Sequence, residues 1–120
     1  MLKKQYRLKN KKAFDATYRN KKVVSNGIMS LYIGKPKKDL TTTTKFGFVV
    51  SKKYHKRAVK RNRIKRLLRE CVRLAIKQNQ HGNLDKYMSF IILPKINENC
   101  YKMKLTDIDE SFRSLITRVR

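Results

Sequence analysis

The sequence predicts an α+β domain in which two long amphipathic helices cover one side of a small sheet. The first observation is an apolar stripe with helical spacing between residues 57 and 78, and the second is a similar stripe after Thr106. The third is a set of short apolar runs bounded by glycine, proline and polar residues. These elements favour a two-layer sandwich, and the length of 120 residues favours a single domain, residues 1–120.

The N-terminal segment predicts one short helix. Residues 1–9 are basic, and we expect them to be extended or frayed. Asn10 is a suitable N-cap for a helix from about Lys11 to Arg19. Phe14 and Tyr18 stand four residues apart and therefore share a face of that helix.

The next segment predicts three strands. Residues 21–25 form a short candidate, and a turn at 26–27 separates it from a stronger candidate at 28–33. After a polar loop, residues 46–51 are mostly apolar, which predicts a central strand. Gly47 inside this run indicates a bulge or the close approach of another group.

The second half predicts two helices around one strand. A helix from about Arg57 to Gln78 carries an apolar stripe of Ile64, Leu67, Leu68, Cys71, Val72 and Ala75. A strand at 87–93 is stopped by Pro94. The last helix opens near Thr106 as N-cap, with acids in its first turn, and its apolar stripe is Ile108, Phe112, Leu115, Ile116 and Val119.

The charge balance indicates a polyanionic partner. Lys and Arg total 32 against 8 acids, which gives a formal charge of +24. Such an excess costs stability through self-repulsion, so nucleic acid is the favoured partner and an anionic membrane a weaker alternative. Neither an apolar run long enough to span a membrane nor a signal peptide is evident, so we expect a cytoplasmic protein.

The helix at 57–78 concentrates this charge. From Lys52 to Arg73 there are eleven basic residues and one acid, Glu70. Opposite the apolar stripe, the helix presents Asn62, Lys65, Arg66, Arg69 and Arg73, flanked by Arg61 and Arg63. Guanidinium groups bind phosphates in a bidentate manner, so this face is a candidate RNA surface, with a solvated, salt-bridged face as the alternative.

The aromatic residues allow two interpretations. Phe14, Tyr18 and Tyr32 can stack on the bases of a single strand, at about 1–3 kcal/mol per base. From spacing alone, packing in the core is the more ordinary role of such side chains.

Groups suited to catalysis are scarce. The eight acids form no cluster suited to two metals, and Cys71 and Cys100 indicate neither zinc nor a disulfide. His55 could act as a general base in a nuclease that works alone, but we predict no catalytic or metal-binding residues in the chain.

The stretch from Arg61 to Glu70 resembles the signature helix of the bacterial ribonuclease P protein component. Residues 50–53, 57–59 and 91–94, together with the aromatic positions above, fit the same pattern. The resemblance implies an α+β sandwich of helices and a mixed sheet, similar to the second domain of ribosomal protein S5, with a left-handed βαβ crossover.

The resemblance also implies a function. Members of the family join a large catalytic RNA and support Mg²⁺-dependent endonucleolytic removal of the 5′ leader of precursor tRNA. Catalysis belongs to the RNA, and Mg²⁺ is bound mainly by the RNA subunit and the substrate. The implied partners are therefore the ribonuclease P catalytic RNA and precursor tRNA, with neither membrane nor DNA.

Two sets of residues follow by position from the resemblance. Contacts to the catalytic RNA are expected from Arg61, Asn62, Arg63, Lys65, Arg66 and Arg69. Contacts to the leader are expected in a cleft between the first helix and the sheet, from Phe14, Tyr18, Tyr32, Lys52 and Lys53. The competing interpretations are a structural RNA-binding protein without a cleft, a DNA-binding regulator, and a protein nuclease that acts alone.

Overall fold

The computed structural model describes residues 4–26, 28–38, 43–50, 57–77, 84, 86–94 and 104–119. A 3₁₀ turn at Lys4–Tyr6 precedes the regular elements, in place of the extended or frayed segment that the sequence predicted there. These are α1 (Lys11–Arg19), β1 (Lys22–Ser25), β2 (Met29–Ile33), β3 (Lys45–Phe48), α2 (Ala58–Lys77), β4 (Ser89–Pro94) and α3 (Leu105–Ile116). The predicted order of helix, strands, helix, strand and helix is confirmed.

The four strands form one mixed sheet in the order β1-β2-β4-β3. The β1–β2 and β2–β4 pairs are antiparallel, whereas β3 and β4 are parallel neighbours. Since α2 connects β3 to β4 along the chain, these three elements form a βαβ unit. The left hand of this crossover stays a prediction.

One face of the sheet carries the main core. Leu31, Ile33, Phe46, Phe90 and Ile92 are buried there with the apolar stripes of α2 and α3. Both stripes are confirmed, although Leu67 is only half-buried. Each buried Ile or Leu stabilises the fold by about 1.5–3 kcal/mol, well above the roughly 0–1 kcal/mol of an exposed ion pair. Packing rather than charge therefore holds α2 on the sheet.

The expectation that β3 is central is wrong. It lies at the end of the strand order and stops at Phe48, although the Val49 amide still donates to the Ile92 carbonyl at 3.1 Å. Its apolar character has another cause: Phe46 faces the core while Gly47 is covered on the opposite face. The N-terminal segment also protects its outer edge, where the Leu8 amide donates to the Phe46 carbonyl at 2.8 Å.

The predicted start of α3 also needs correction. The helix begins at Leu105 with Lys104 as N-cap, so Thr106 already lies within the first turn. The Asp107 carboxylate accepts a hydrogen bond from the Lys104 amide at 3.1 Å. The carboxylate of Asp107, at the third helical position, therefore caps the N-terminus of α3, whereas the sequence predicted the Thr106 hydroxyl in this role.

The ends of β4 differ from the prediction as well. Tyr87 pairs with Pro36 in an isolated bridge, and the regular strand starts at Ser89. Pro94 ends the strand from within, opposite Met29 of β2.

Candidate nucleic-acid interface

The second face of the sheet presents a row of side chains from three strands. Tyr32 of β2 is paired with Ile91 of β4, which is paired in turn with Gly47 of β3. Residues opposite each other in neighbouring strands point to the same face. The row therefore faces away from the main core, and α1 crosses the sheet on this side.

Three groups of hydrogen bonds position α1 over this face. Asn10 caps the helix as predicted, since its side-chain oxygen accepts from the Lys12 amide at 2.9 Å. In the last turn of the helix, the hydroxyls of Thr17 and Ser89 lie 2.6 Å apart. After its end, the Asn20 amide group donates to the carbonyls of residues 33 and 34, both at 3.0 Å.

Phe14 lies directly on the sheet backbone at Gly47. A Cβ atom at position 47 would fall 2.5 Å from Cε1 and 2.6 Å from Cζ of Phe14. The glycine therefore makes room for the ring, and the close approach predicted from the sequence is confirmed.

Tyr18 and Tyr32 form the next contact along α1. Their ring centroids are 5.0 Å apart with an interplanar angle of 71°, an edge-to-face arrangement. Tyr18 is 37% exposed, while Phe14 and Tyr32 are half-buried. The three aromatic residues thus pack on the sheet without being enclosed in the core, and the partly exposed surface that they form beside α1 is the aromatic cleft.

The environment of Tyr18 affects its ionisation. Partial burial, and to a smaller extent the neighbouring Tyr32, raise the pKa of the Tyr18 hydroxyl above its ordinary value. Because the ordinary pKa of 10.0 is raised further, the Tyr18 hydroxyl is a neutral phenol near neutral pH and adds no negative charge beside the aromatic rings.

The predicted RNA-subunit residues lie on α2, on the other side of the sheet from the aromatic cleft. Asn62, Arg63 and Arg66 are exposed, whereas Arg61, Lys65 and Arg69 are half-buried. The α2 residues and the three aromatic residues therefore occupy separate surfaces, and their contacts with RNA stay predictions. Lys52 and Lys53, and also His55, lie outside the described residues.

Local contacts order part of the basic face. The Arg69 guanidinium lies 6.0 Å from the centre of the Phe48 ring, within range of a cation–π contact. Arg73 forms a bidentate ion pair with Glu70, with Nε at 3.0 Å from both carboxylate oxygens. The hydrogen bond to Arg73 lowers the pKa of Glu70. Glu70 therefore orders the Arg73 side chain, although the scarcity of acids in the sequence had not predicted an ion pair on this face.

Two residues that hold α1 on the sheet were missed from sequence. Thr17 is almost fully buried and anchors α1 to β4. Its position three residues after Phe14 was the available signal, because it places the hydroxyl on the sheet-facing side. Ser89 had no such signal, since only the strand pairing brings it under α1.

The described residues offer no site for a resident metal. Within them, no group of three His, Cys, Asp or Glu side chains lies close enough to hold an ion. Mg²⁺ requires oxygen ligands, whereas the described side chains of the two candidate surfaces are mostly aromatic or cationic, so these surfaces do not fit this ion. In the same ranges, no helix combines the length and the apolar character needed to cross a membrane.

Comparison with known proteins matches this sequence to one family. The family model described as "Ribonuclease P" matches residues 2–120. The ribonuclease P protein component of Finegoldia magna is 39% identical over 94 residues, which cover 78% of this chain and 74% of that protein. The corresponding Clostridium botulinum protein is 32% identical over 115 residues, which cover 96% of this chain and 95% of that protein.

Solved structures show the same fold. The RNase P protein of Staphylococcus aureus superposes with a TM-score of 0.71 at 24% identity, covering 94% of both chains. The Thermotoga maritima RNase P protein gives a TM-score of 0.73 at 19% identity, covering 95% of this chain and 97% of that one.

The fold and the site thus define the class of protein. It is a basic α+β domain with an aromatic cleft beside a helix that covers the sheet. The chain belongs to the ribonuclease P protein family, whose members are named as the protein component of that enzyme.

Proposed function

We propose that this chain is the protein subunit of a ribonuclease P holoenzyme that removes the 5′ leader from precursor tRNA. In this proposal it binds the catalytic RNA through α2 and the leader through the cleft beside α1. The cleavage takes place in the RNA subunit, and Mg²⁺ is held by that RNA and by the substrate. The observation that carries the proposal is the separation of a basic helix and an aromatic cleft on opposite sides of one sheet.

The cleft suits an unpaired strand more than a duplex. Phe14, Tyr18 and Tyr32 offer ring faces and edges close to the sheet, and none of the three carries a charge. Every base has a π-face, so stacking here holds a leader of almost any sequence, at about 1–3 kcal/mol per base. Sequence-tolerant binding is what a subunit shared by many precursor tRNAs requires.

The basic helix suits a folded RNA. Its packing against the core fixes the helix axis, so the cationic groups of α2 keep a defined spacing. Asn62 adds a side chain that both donates and accepts hydrogen bonds. With a charge of +24, the subunit offsets repulsion between two RNAs, which lowers the Mg²⁺ concentration that the complex needs.

Reconstitution with a bacterial catalytic RNA tests the proposal directly. Added at low Mg²⁺, the protein is expected to restore cleavage of precursor tRNA at the 5′ end of the mature sequence. The holoenzyme is also expected to bind precursor tRNA more tightly than mature tRNA. If cleavage is not restored, or if the two tRNAs bind equally, the proposal fails; equal binding is what a structural RNA-binding protein without a leader cleft predicts.

Paired substitutions separate the two surfaces. Tyr18→Leu removes a stacking ring and should weaken precursor binding roughly 5- to 150-fold, with mature tRNA unaffected. Tyr18→Phe keeps the ring and should bind as the wild type does. Arg66→Gln should weaken assembly with the catalytic RNA and reduce the dependence of log K on log salt by about one, without altering the preference for precursor.

A further inference from the structure

A second groove lies beside α1, on the opposite side of this helix from Tyr18. It has a volume of about 730 Å³ and is open to solvent along one side. Helix α1 contributes Ala13, Ala16 and Thr17 to its wall, not the residues that border the aromatic cleft. The Thr17–Ser89 hydrogen bond forms part of the partition between the two spaces.

The groove combines an apolar wall with a cationic rim. Leu8, Ala13 and Met88 supply apolar surface, and Met88 is 48% exposed although it is a large apolar side chain. The rim consists of Lys35, Lys37, Lys38 and Lys45. Among the described lining residues there is no acid to balance these charges. Four ammonium groups around one apolar space repel each other, and a bound anion relieves that repulsion.

These features match a nucleotide of a single strand. A base can lie against the apolar wall while its phosphates approach the lysines, and the volume is within the usual range for ligand sites of about 300–1,000 Å³. Lysine acts on phosphate as a point charge with little directional demand. The groove therefore suits a strand of variable sequence.

The position of the groove favours the leader as the source of that strand. A helix with its side chains is about 10–12 Å across, and a stacked strand rises about 3.4 Å per nucleotide. A stacked strand therefore crosses α1 in about three to four nucleotides. Lys12 and Arg19 are exposed on the helix, and one exposed acid, Asp15, lies between them on the same face, so this path carries one net positive charge.

We propose that this groove binds a nucleotide of the precursor-tRNA leader lying farther upstream than those in the aromatic cleft, after the strand has crossed α1. The inference rests on the proposed function. It predicts that a leader long enough to cross α1 binds more tightly to the holoenzyme than a leader that ends in the cleft.

The test measures holoenzyme affinity for two precursors, one with each leader length, and for mature tRNA. The wild-type holoenzyme should bind the precursor with the longer leader more tightly than the precursor with the shorter one. Lys45→Glu should weaken binding of the longer precursor roughly tenfold and so remove most of this difference. Lys104→Glu, at the N-terminus of α3, makes the same change in net charge away from the groove and should retain the gain. Ala16→Leu fills the groove without changing charge or helix propensity, and it should also abolish the gain.

Several results would overturn the inference. One is a wild-type holoenzyme that binds both precursors with the same affinity. Another is a Lys45→Glu variant whose affinity falls equally for the longer and the shorter leader. A photo-crosslinking amino acid at position 88 should react with the upstream leader; reaction with the catalytic RNA instead would assign the groove to that partner. If precursor with the short leader binds no better than mature tRNA, it is the proposed function that fails.

Discussion

The contact between Phe14 and Gly47 joins the stability of the fold to the shape of the cleft. Gly47→Ala places a methyl group 2.5 Å from the Phe14 ring and 3.2 Å from a Leu8 methyl carbon. Overpacking of this kind costs about 1–3 kcal/mol. Alanine recovers part of that loss, about 0.5–1 kcal/mol, because it restricts the unfolded chain more than glycine does.

Together these ranges give a net loss of about 0–2.5 kcal/mol in the free energy of unfolding for Gly47→Ala, centred at about 1.2 kcal/mol. At about 2.1 cal/mol/K of unfolding entropy per residue, a chain of 120 residues loses about 5 °C in Tm at the central value. Thermal and urea denaturation followed by circular dichroism measure both quantities. Because the Phe14 ring must move, affinity for precursor tRNA should fall as well.

A double-mutant cycle makes the reasoning refutable. In a Phe14→Ala background the ring is absent, so Gly47→Ala should be neutral or stabilising, and the coupling energy should be at least about 1 kcal/mol. A similar loss from Gly47→Ala in both backgrounds would show that the ring contact is not its cause. Stabilisation of the wild type by Gly47→Ala would refute the close approach itself.

Two further predictions concern ionisation. Burial raises the pKa of the Cys71 thiol to about 12 from an ordinary value of 9.0. The neutral thiol therefore contributes its full stability below about pH 9, and this contribution is lost as the pH rises towards 12. In a Cys100→Ser variant, a thiol reagent at mildly alkaline pH should therefore react only as fast as the protein opens, and rapid reaction of the native state would contradict the burial. The Tyr18 pKa is also raised, chiefly by burial. An ultraviolet titration of wild type against Tyr18→Phe should therefore show one tyrosine that ionises at a higher pH than free tyrosine. Its contribution to stability is lost above about pH 10. Tyr32→Phe should leave most of that shift, since the neighbouring hydroxyl is the smaller cause; a return to the ordinary value would reverse this order of causes.

Local patterns were sufficient for the helices and for most of the core. The apolar stripe of α2 has a single periodicity of the right length, and its best-spaced members, from Ile64 to Ala75, are the ones that the structure buries. Asn10 likewise caps α1 through a contact two residues away, which spacing along the chain alone specifies.

Features that depend on strand pairing were not predictable in the same way. Strand β3 has an apolar run that is typical of a central strand, yet it lies at the end of the order, because α1 and the N-terminal segment bury it from outside the sheet. Which strand neighbours which depends on contacts between residues far apart in the chain, and periodicity carries no information about them.

The sequence by itself determined the charge, the two amphipathic helices and the family resemblance, since each of these is a property of composition or of local spacing. Only the tertiary structure decided that the cationic helix and the aromatic residues lie on opposite sides of one sheet. It also brought Ser89 under Thr17 and four lysines around the groove behind α1. Sheet register and helix docking, which bring distant residues together, are the physical reason for that difference.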